Sequence, residues 1–164
     1  MLLTRESDYA LRILRELAGG ELKTVGCICE DAVIPRQFAY KILKKLEGAG
    51  MLVIIRGAHG GCRKTEDMER YSLYDLIQAM GDCREVNACM DPEYECNWSA
   101  AHDTSCRMHS RLYLLQQQVD RELKSILLGE LVSEEWPDPA DPEKENGGSG
   151  TEQSRGSQKE ANHA

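Results

Sequence analysis

Apolar positions recur at three- and four-residue intervals along residues 7–17, where Tyr9, Ala10, Ile13, Leu14 and Leu17 share one helical face before Gly19 and Gly20 end the pattern. A short second helix is predicted over residues 24–32, with Val25 and Ile28 inward. Cys27 and Cys29 lie on it; two residues apart they point to different faces, so they read as small buried or half-buried thiols rather than joint ligands. Pro35 is placed at the first position of a third helix, which runs to about Glu47 and stops at Gly48-Ala49-Gly50. Phe38, Ile42, Leu43 and Leu46 are its predicted apolar stripe. Residues 51–55 are a β-rich apolar run, residues 56–61 a glycine-dense turn, and residues 62–64 the predicted return strand. Ser72 and Asp75 have capping-box spacing and open a helix with Leu73, Leu76, Ile77 and Met80 inward, closed by Gly81. Residues 107–128 form the last periodic segment: Leu112, Leu115, Val119, Leu123 and Ile126 make a heptad-like seam, widened by Leu114, Leu127 and Leu128. Between these last two helices no apolar period is sustained, and a loop is expected.

The predicted fold is mainly α with a small β-hairpin wing: a winged helix-turn-helix followed by a long C-terminal helix. The two helices joined by Val33-Ile34-Pro35 have helix-turn-helix form. Net charge is −8, which alone argues against a nucleic-acid partner. Its distribution reverses that reading, because residues 34–64 hold seven bases against the single acid Glu47. The expected DNA-binding residues are Arg36, Gln37, Tyr40, Lys41 and Lys44 on the third helix and Arg56, His59, Gly60 and Gly61 on the wing. A basic helix alone reads equally well as a solvated face; the basic, glycine-tipped hairpin behind it favours double-stranded DNA. A two-fold operator and a homodimer joined through the last helix are expected.

Four divisions follow: a DNA-binding domain over residues 1–81, a cysteine-rich loop over 82–106, a dimerisation helix over 107–132, and a disordered acidic tail over 133–164. No apolar run is long enough for a membrane span, and the charged opening does not read as an export signal. A cytoplasmic protein with reduced thiols is therefore expected. Seven cysteines cannot all pair within one chain, so metal or redox chemistry is the better reading of their clustering. Cys89, Cys96 and Cys106, with His109, fall within twenty-one residues. Thiolates are soft ligands suited to iron–sulfur clusters, and Cys106 at the start of a helix is well placed as one. The gap between Cys89 and Cys96 is wider than structural zinc pairs use, which leaves zinc as an alternative, alongside a metal-free thiol switch and a DNA-free protein adaptor. An enzyme is not expected, for want of a phosphate-cradling loop or a nucleophile–base–orienter set. Cys62 and Cys83 receive no role.

Several stretches together resemble a known family: the opening Leu3-Thr4 followed by Asp8-Tyr9-Ala10-Leu11-Arg12, then Ile34-Pro35, Phe38 and Lys41-Ile42-Leu43, then Ala49-Gly50 with Leu52-Val53, the wing Arg56-Gly57 with Gly60-Gly61, and the three late cysteines. They resemble the Rrf family of winged-helix transcriptional regulators, in its IscR- and NsrR-like iron–sulfur branch, over residues 1–131. The resemblance implies a homodimeric regulator, expected to be a repressor, whose loop carries a 2Fe–2S or 4Fe–4S cluster sensing redox, nitric oxide or iron–sulfur status. It also implies Asp8 of the partner subunit as a fourth ligand, beside the His109 suggested by proximity. Two departures stand out. Cys62 replaces an aromatic after the wing glycines, with Arg63-Lys64 following, so a frayed or unusually basic return strand is expected. The cysteine spacing is also longer than in members with tight loops.

Overall fold

The structure is a computed structural model in which residues 3–82, 84–102 and 104–133 are described. The Thr4 hydroxyl caps the first helix by accepting from the Glu6 backbone N–H at 3.2 Å, and α1 runs Arg5–Glu16. Thr24 caps α2 (Val25–Asp31) in the same way, through the Cys27 N–H at 3.3 Å. Pro35 is the N-cap of α3 (Arg36–Gly48), where its missing N–H costs nothing. The inward stripe of α3 is Ala39, Ile42, Leu43 and Leu46. Phe38, expected there, is 40% exposed and leans on Tyr9 with ring centroids 6.1 Å apart. Positions 39, 42, 43 and 46 recur at three- and one-residue steps on one helical face, so Ala39 takes the place expected of Phe38 in the buried stripe. Of the two helix-two thiols, Cys29 is buried as expected, whereas Cys27 is exposed and donates to Asp31 at 3.3 Å.

The wing is an antiparallel pair, β1 (Leu52–Ile55) and β2 (Gly61–Lys64), in register from Leu52 opposite Lys64 to Ile55 opposite Gly61. The return strand is not frayed. Cys62 is fully buried, and β2 gains a second partner on its far edge: the Cys62 N–H donates to Lys23 O at 2.8 Å and the Lys23 N–H to Cys62 O at 3.0 Å. β2 is thus paired along both of its edges, with the small Cys62 thiol buried beneath it.

Helix α4 (Leu73–Met80) starts with the expected capping box: the Ser72 N–H donates to Asp75 at 2.8 Å and the Asp75 N–H to Ser72 Oγ at 3.3 Å. Gly81, at φ +71°, ends it in the left-handed conformation that glycine adopts without strain. The segment expected as plain loop contains a single 3₁₀ turn, Ala88–Met90, and a short helix, α5 (Asn97–His102). Helix α6 (Arg107–Ser125) is shorter than predicted. Ile126 turns extended because the chain pairs there with the segment before α4: the Leu73 N–H donates to Ile126 O at 2.9 Å and the Leu128 N–H to Tyr71 O at 2.8 Å. A last short helix, α7 (Leu128–Val132), then folds back.

One hydrophobic core joins these elements, with Ile13, Leu14, Ile42, Leu46, Leu76 and Ile77 fully buried and Leu123, Leu128 and Val132 closing it from the C-terminal side. Each such side chain contributes about 1.5–3 kcal/mol. Leu128, predicted to widen an intermolecular seam, packs inside its own subunit instead. Among the described residues, no helix is long and apolar enough to cross a membrane. Residues 134–164, where most of the acidic tail was expected, and Cys83 lie outside the described residues.

Candidate nucleic-acid interface and cysteine cavity

Helix α3 presents Arg36, Gln37, Tyr40, Lys41 and Lys44 on its exposed face, as its periodicity implied. Two of the cations are engaged within the chain: Arg36 pairs with Glu30 at 3.3 Å and Lys41 with Glu6 at 2.6 Å. Lys45, one helical step on, is half-buried; it also pairs with Glu6 and donates to the Met80 carbonyl. These two ammonium groups hold the Glu6 carboxyl below the usual carboxylate range, Lys41 contributing most. On the wing, Arg56 and His59 are exposed at the tip. Gly61 is buried, and a Cβ on it would lie 2.5 Å from Lys23 O; one on Gly60 would lie 2.3 Å from Ile55 O. Gly60 is required by the hairpin's own close packing and Gly61 by the approach of Lys23, while Gly57, at φ +119°, adopts a backbone conformation that favours glycine at the turn. The turn between α2 and α3 places Val33 at φ +55°, a strained conformation for a β-branched residue.

The three late cysteines come together. Cys89 on the 3₁₀ turn, Cys96 just before α5 and Cys106 at the N-cap of α6 all line one cavity of about 900 Å³. His109, one turn into α6, lines it too, beside Tyr94, Trp98, Met108 and Leu112. Each of the three thiols is half-buried. Among the described residues, no three His, Cys, Asp or Glu side chains converge as a single metal ion requires. The three thiols are soft donors and are partly screened from water. Asp8 does not line this cavity in its own subunit; it is exposed on α1 and pairs with Arg12 at 3.0 Å. Burial pushes Cys29 and Cys62 up, and the Asp31 carboxylate pushes Cys27 up, so these three thiols are protonated at neutral pH.

The chain leaving α4 for the cysteine segment is tied to the reader. Asp82 accepts from the Thr4 hydroxyl at 2.8 and 2.9 Å and from the fully buried Ser7 hydroxyl, so it grips the first turn of α1. On the other side, Gln116 of α6 clamps the next residues by its amide: the Val86 N–H donates to Oε1 at 2.8 Å, and Nε2 donates to Arg84 O at 3.1 Å. The Arg84 guanidinium and the Lys124 ammonium lie 4.7 and 4.5 Å from the Tyr74 ring centre. Periodicity pointed to none of Glu6, Asp82 or Gln116, since each acts through contacts distant in sequence. The acid in the first turn of α1 was the one visible signal.

Residues 3–134 match the Rrf2 family, described as iron-dependent transcriptional regulators. A protein of Aquifex aeolicus (strain VF5) named as an HTH-type transcriptional regulator is 26% identical over 135 residues, covering 81% of this chain and 92% of the relative. The fold is similar to that of CymR (YrzC), the global cysteine regulator of B. subtilis, with a TM-score of 0.63 and 19% identity over 80% of this chain and 96% of that one. It is also similar to T. potens IscR, with a TM-score of 0.56 and 16% identity over 80% of this chain and 86% of that one. Proteins of this family bind DNA, are typically dimeric and are regulators rather than enzymes. With the winged helix-turn-helix in place, the chain belongs to the Rrf2 family of transcriptional regulators.

Proposed function

We propose that this regulator binds its operator as a homodimer and that an iron–sulfur cluster held by Cys89, Cys96 and Cys106 controls that binding. The observation that carries the reading is the single cavity lined by all three thiols and His109. The segment that forms it buries none of its own described residues. A stretch without a core needs another source of order, and a bound cofactor supplies it. Bound there, a cluster offers iron centres that oxygen, nitric oxide or iron scarcity attacks. The fourth ligand is His109 or Asp8 of the partner subunit; both are exposed. The thiols hold the cofactor, while Asp82 and Gln116 fasten its segment to α1 and α6, so the state of the segment reaches the reader.

On the reader, Arg36, Gln37, Tyr40, Lys41 and Lys44 enter or flank the major groove, and Arg56 and His59, with Gly60 and Gly61 shaping the turn, lie along the adjacent backbone. Met108 and Leu115, seven residues apart on α6, are exposed on one face, Met108 at 71%, and this face joins the second subunit. Repression by occupying the operator in the cytoplasm is the simplest output of such a dimer. The DNA reading is tested by charge removal: Lys41→Ala and Arg56→Ala should weaken duplex binding and make its salt slope shallower by about one unit per lost phosphate contact. Unchanged slopes would point to a protein partner instead. One observation favours a second reading: no three donors converge on a single point among the described residues. In that reading the cavity thiols form a metal-free switch, and mild oxidation yields a disulfide among Cys89, Cys96 and Cys106 with no iron present.

A further inference from the structure

The first turn of α1 holds a carboxylate against the DNA-reading helix. Glu6 reaches Lys41 with one oxygen, at 2.6 Å, and Lys45 with the other. Its position is fixed from both sides in sequence, because Thr4 and Ser7 of the same turn are bound by Asp82. Lys45 is likewise fixed by the Met80 carbonyl at the end of α4. Two oxygens shared between two ammonium groups reproduce the contact that a DNA phosphate makes with paired lysines. Lys41 is otherwise open to solvent, at 63% exposure, so a phosphate that approaches it competes with this carboxylate.

We propose that Glu6 is an intramolecular stand-in for DNA phosphate, which occupies Lys41 in the free protein and must give it up when the duplex docks. It sets the threshold for binding. The inference rests on the assignment of Lys41 to the DNA face. Each phosphate that contacts Lys41 exchanges one carboxylate partner for another anion, so the net gain per contact is smaller than for a free lysine. Asp82 gives this device its link to the cysteine segment: the residue that pins Glu6's turn is also where that segment begins. A segment that shifts Asp82 moves the turn, and with it the carboxylate that competes for the lysine.

The test is a double-mutant cycle on the full chain with a short random-sequence DNA duplex, read by fluorescence anisotropy at fixed salt. Glu6→Gln keeps the shape and removes the charge; duplex binding should tighten by roughly three- to tenfold over the two subunits of a dimer. In a Lys41→Ala background the same change should gain little. Tightening that persists undiminished without Lys41 would show a general loss of negative charge and overturn the proposal. Unchanged or weaker binding by Glu6→Gln, with Lys41→Ala still harmful, would make the pair purely structural and also overturn it. If Lys41→Ala itself leaves binding unchanged, the DNA face is misassigned, and this inference falls with it. Should Glu6→Gln fail to fold, Glu6→Asp keeps the charge but falls short of both lysines, and a smaller gain in the same direction is expected.

Discussion

Cys29 and Cys62 are buried within the winged helix, while Cys89, Cys96 and Cys106 stand half-buried around a cavity in a segment that contributes nothing to the core. The reader uses sulfur as a small apolar filler: Cys62 plugs the space beneath β2 where a backbone bridge to Lys23 leaves little room. The cysteine segment leaves Cys89, Cys96 and Cys106 half-buried along one cavity. The reader is held by its buried core together with helix caps and backbone bridges, and the segment is held by polar ties at its beginning.

The widest separation between the two regions should appear in thiol labelling. In metal-free protein, Cys89, Cys96 and Cys106 should react with a maleimide at rates on the order of a thousandfold or more above Cys62, which is reached only through opening of the core. Equal rates, followed by mass spectrometry of the labelled peptides, would erase the distinction. Next in size is core truncation. Ile77→Ala removes a fully buried side chain and should lower unfolding free energy by about 2–5 kcal/mol in urea, whereas Trp98→Ala, half-exposed at the cavity, should cost about 1 kcal/mol or less without a ligand. A smaller loss, on the order of 1–3 kcal/mol, is expected of Gly61→Ala, because its Cβ would meet the Lys23 carbonyl at 2.5 Å. The least change belongs to Glu6. The fold favours its ionised form, so that contribution is present at neutral pH and fades as pH falls below the usual carboxylate range. Glu6→Gln should flatten that acid limb in a stability–pH profile, and an unaltered limb would show that the pair adds nothing to folding.

The reader was legible in the sequence because its signals are local. Thr24, Pro35, the Ser72–Asp75 box and Gly81 mark helix ends by their own chemistry, and the α3 stripe needed only the substitution of Ala39 for Phe38. An alanine carries little hydrophobic signal although its place in the spacing is right. The cysteine segment was less legible. Helix α5 spans six residues, too few to show a period, and the end of α6 is set by bonds to Tyr71 and Leu73, fifty and more residues earlier in the chain. Grouping of Cys89, Cys96 and Cys106 could be expected from proximity, but the aromatic wall of Tyr94 and Trp98 and the ties to Asp82 and Gln116 could not. The close approach of carbonyl groups to Gly60 and Gly61 was likewise not legible, because the Lys23 carbonyl lies far from Gly61 in sequence.

The most direct test of the cofactor assignment is to purify the full chain without oxygen, record its visible absorption, and assay iron and acid-labile sulfide per subunit, with Cys106→Ala beside it. The account predicts a coloured protein containing both iron and sulfide, and a Cys106→Ala variant that loses both while keeping the fold of the reader. A colourless protein, whether it contains zinc or no metal at all, would contradict it.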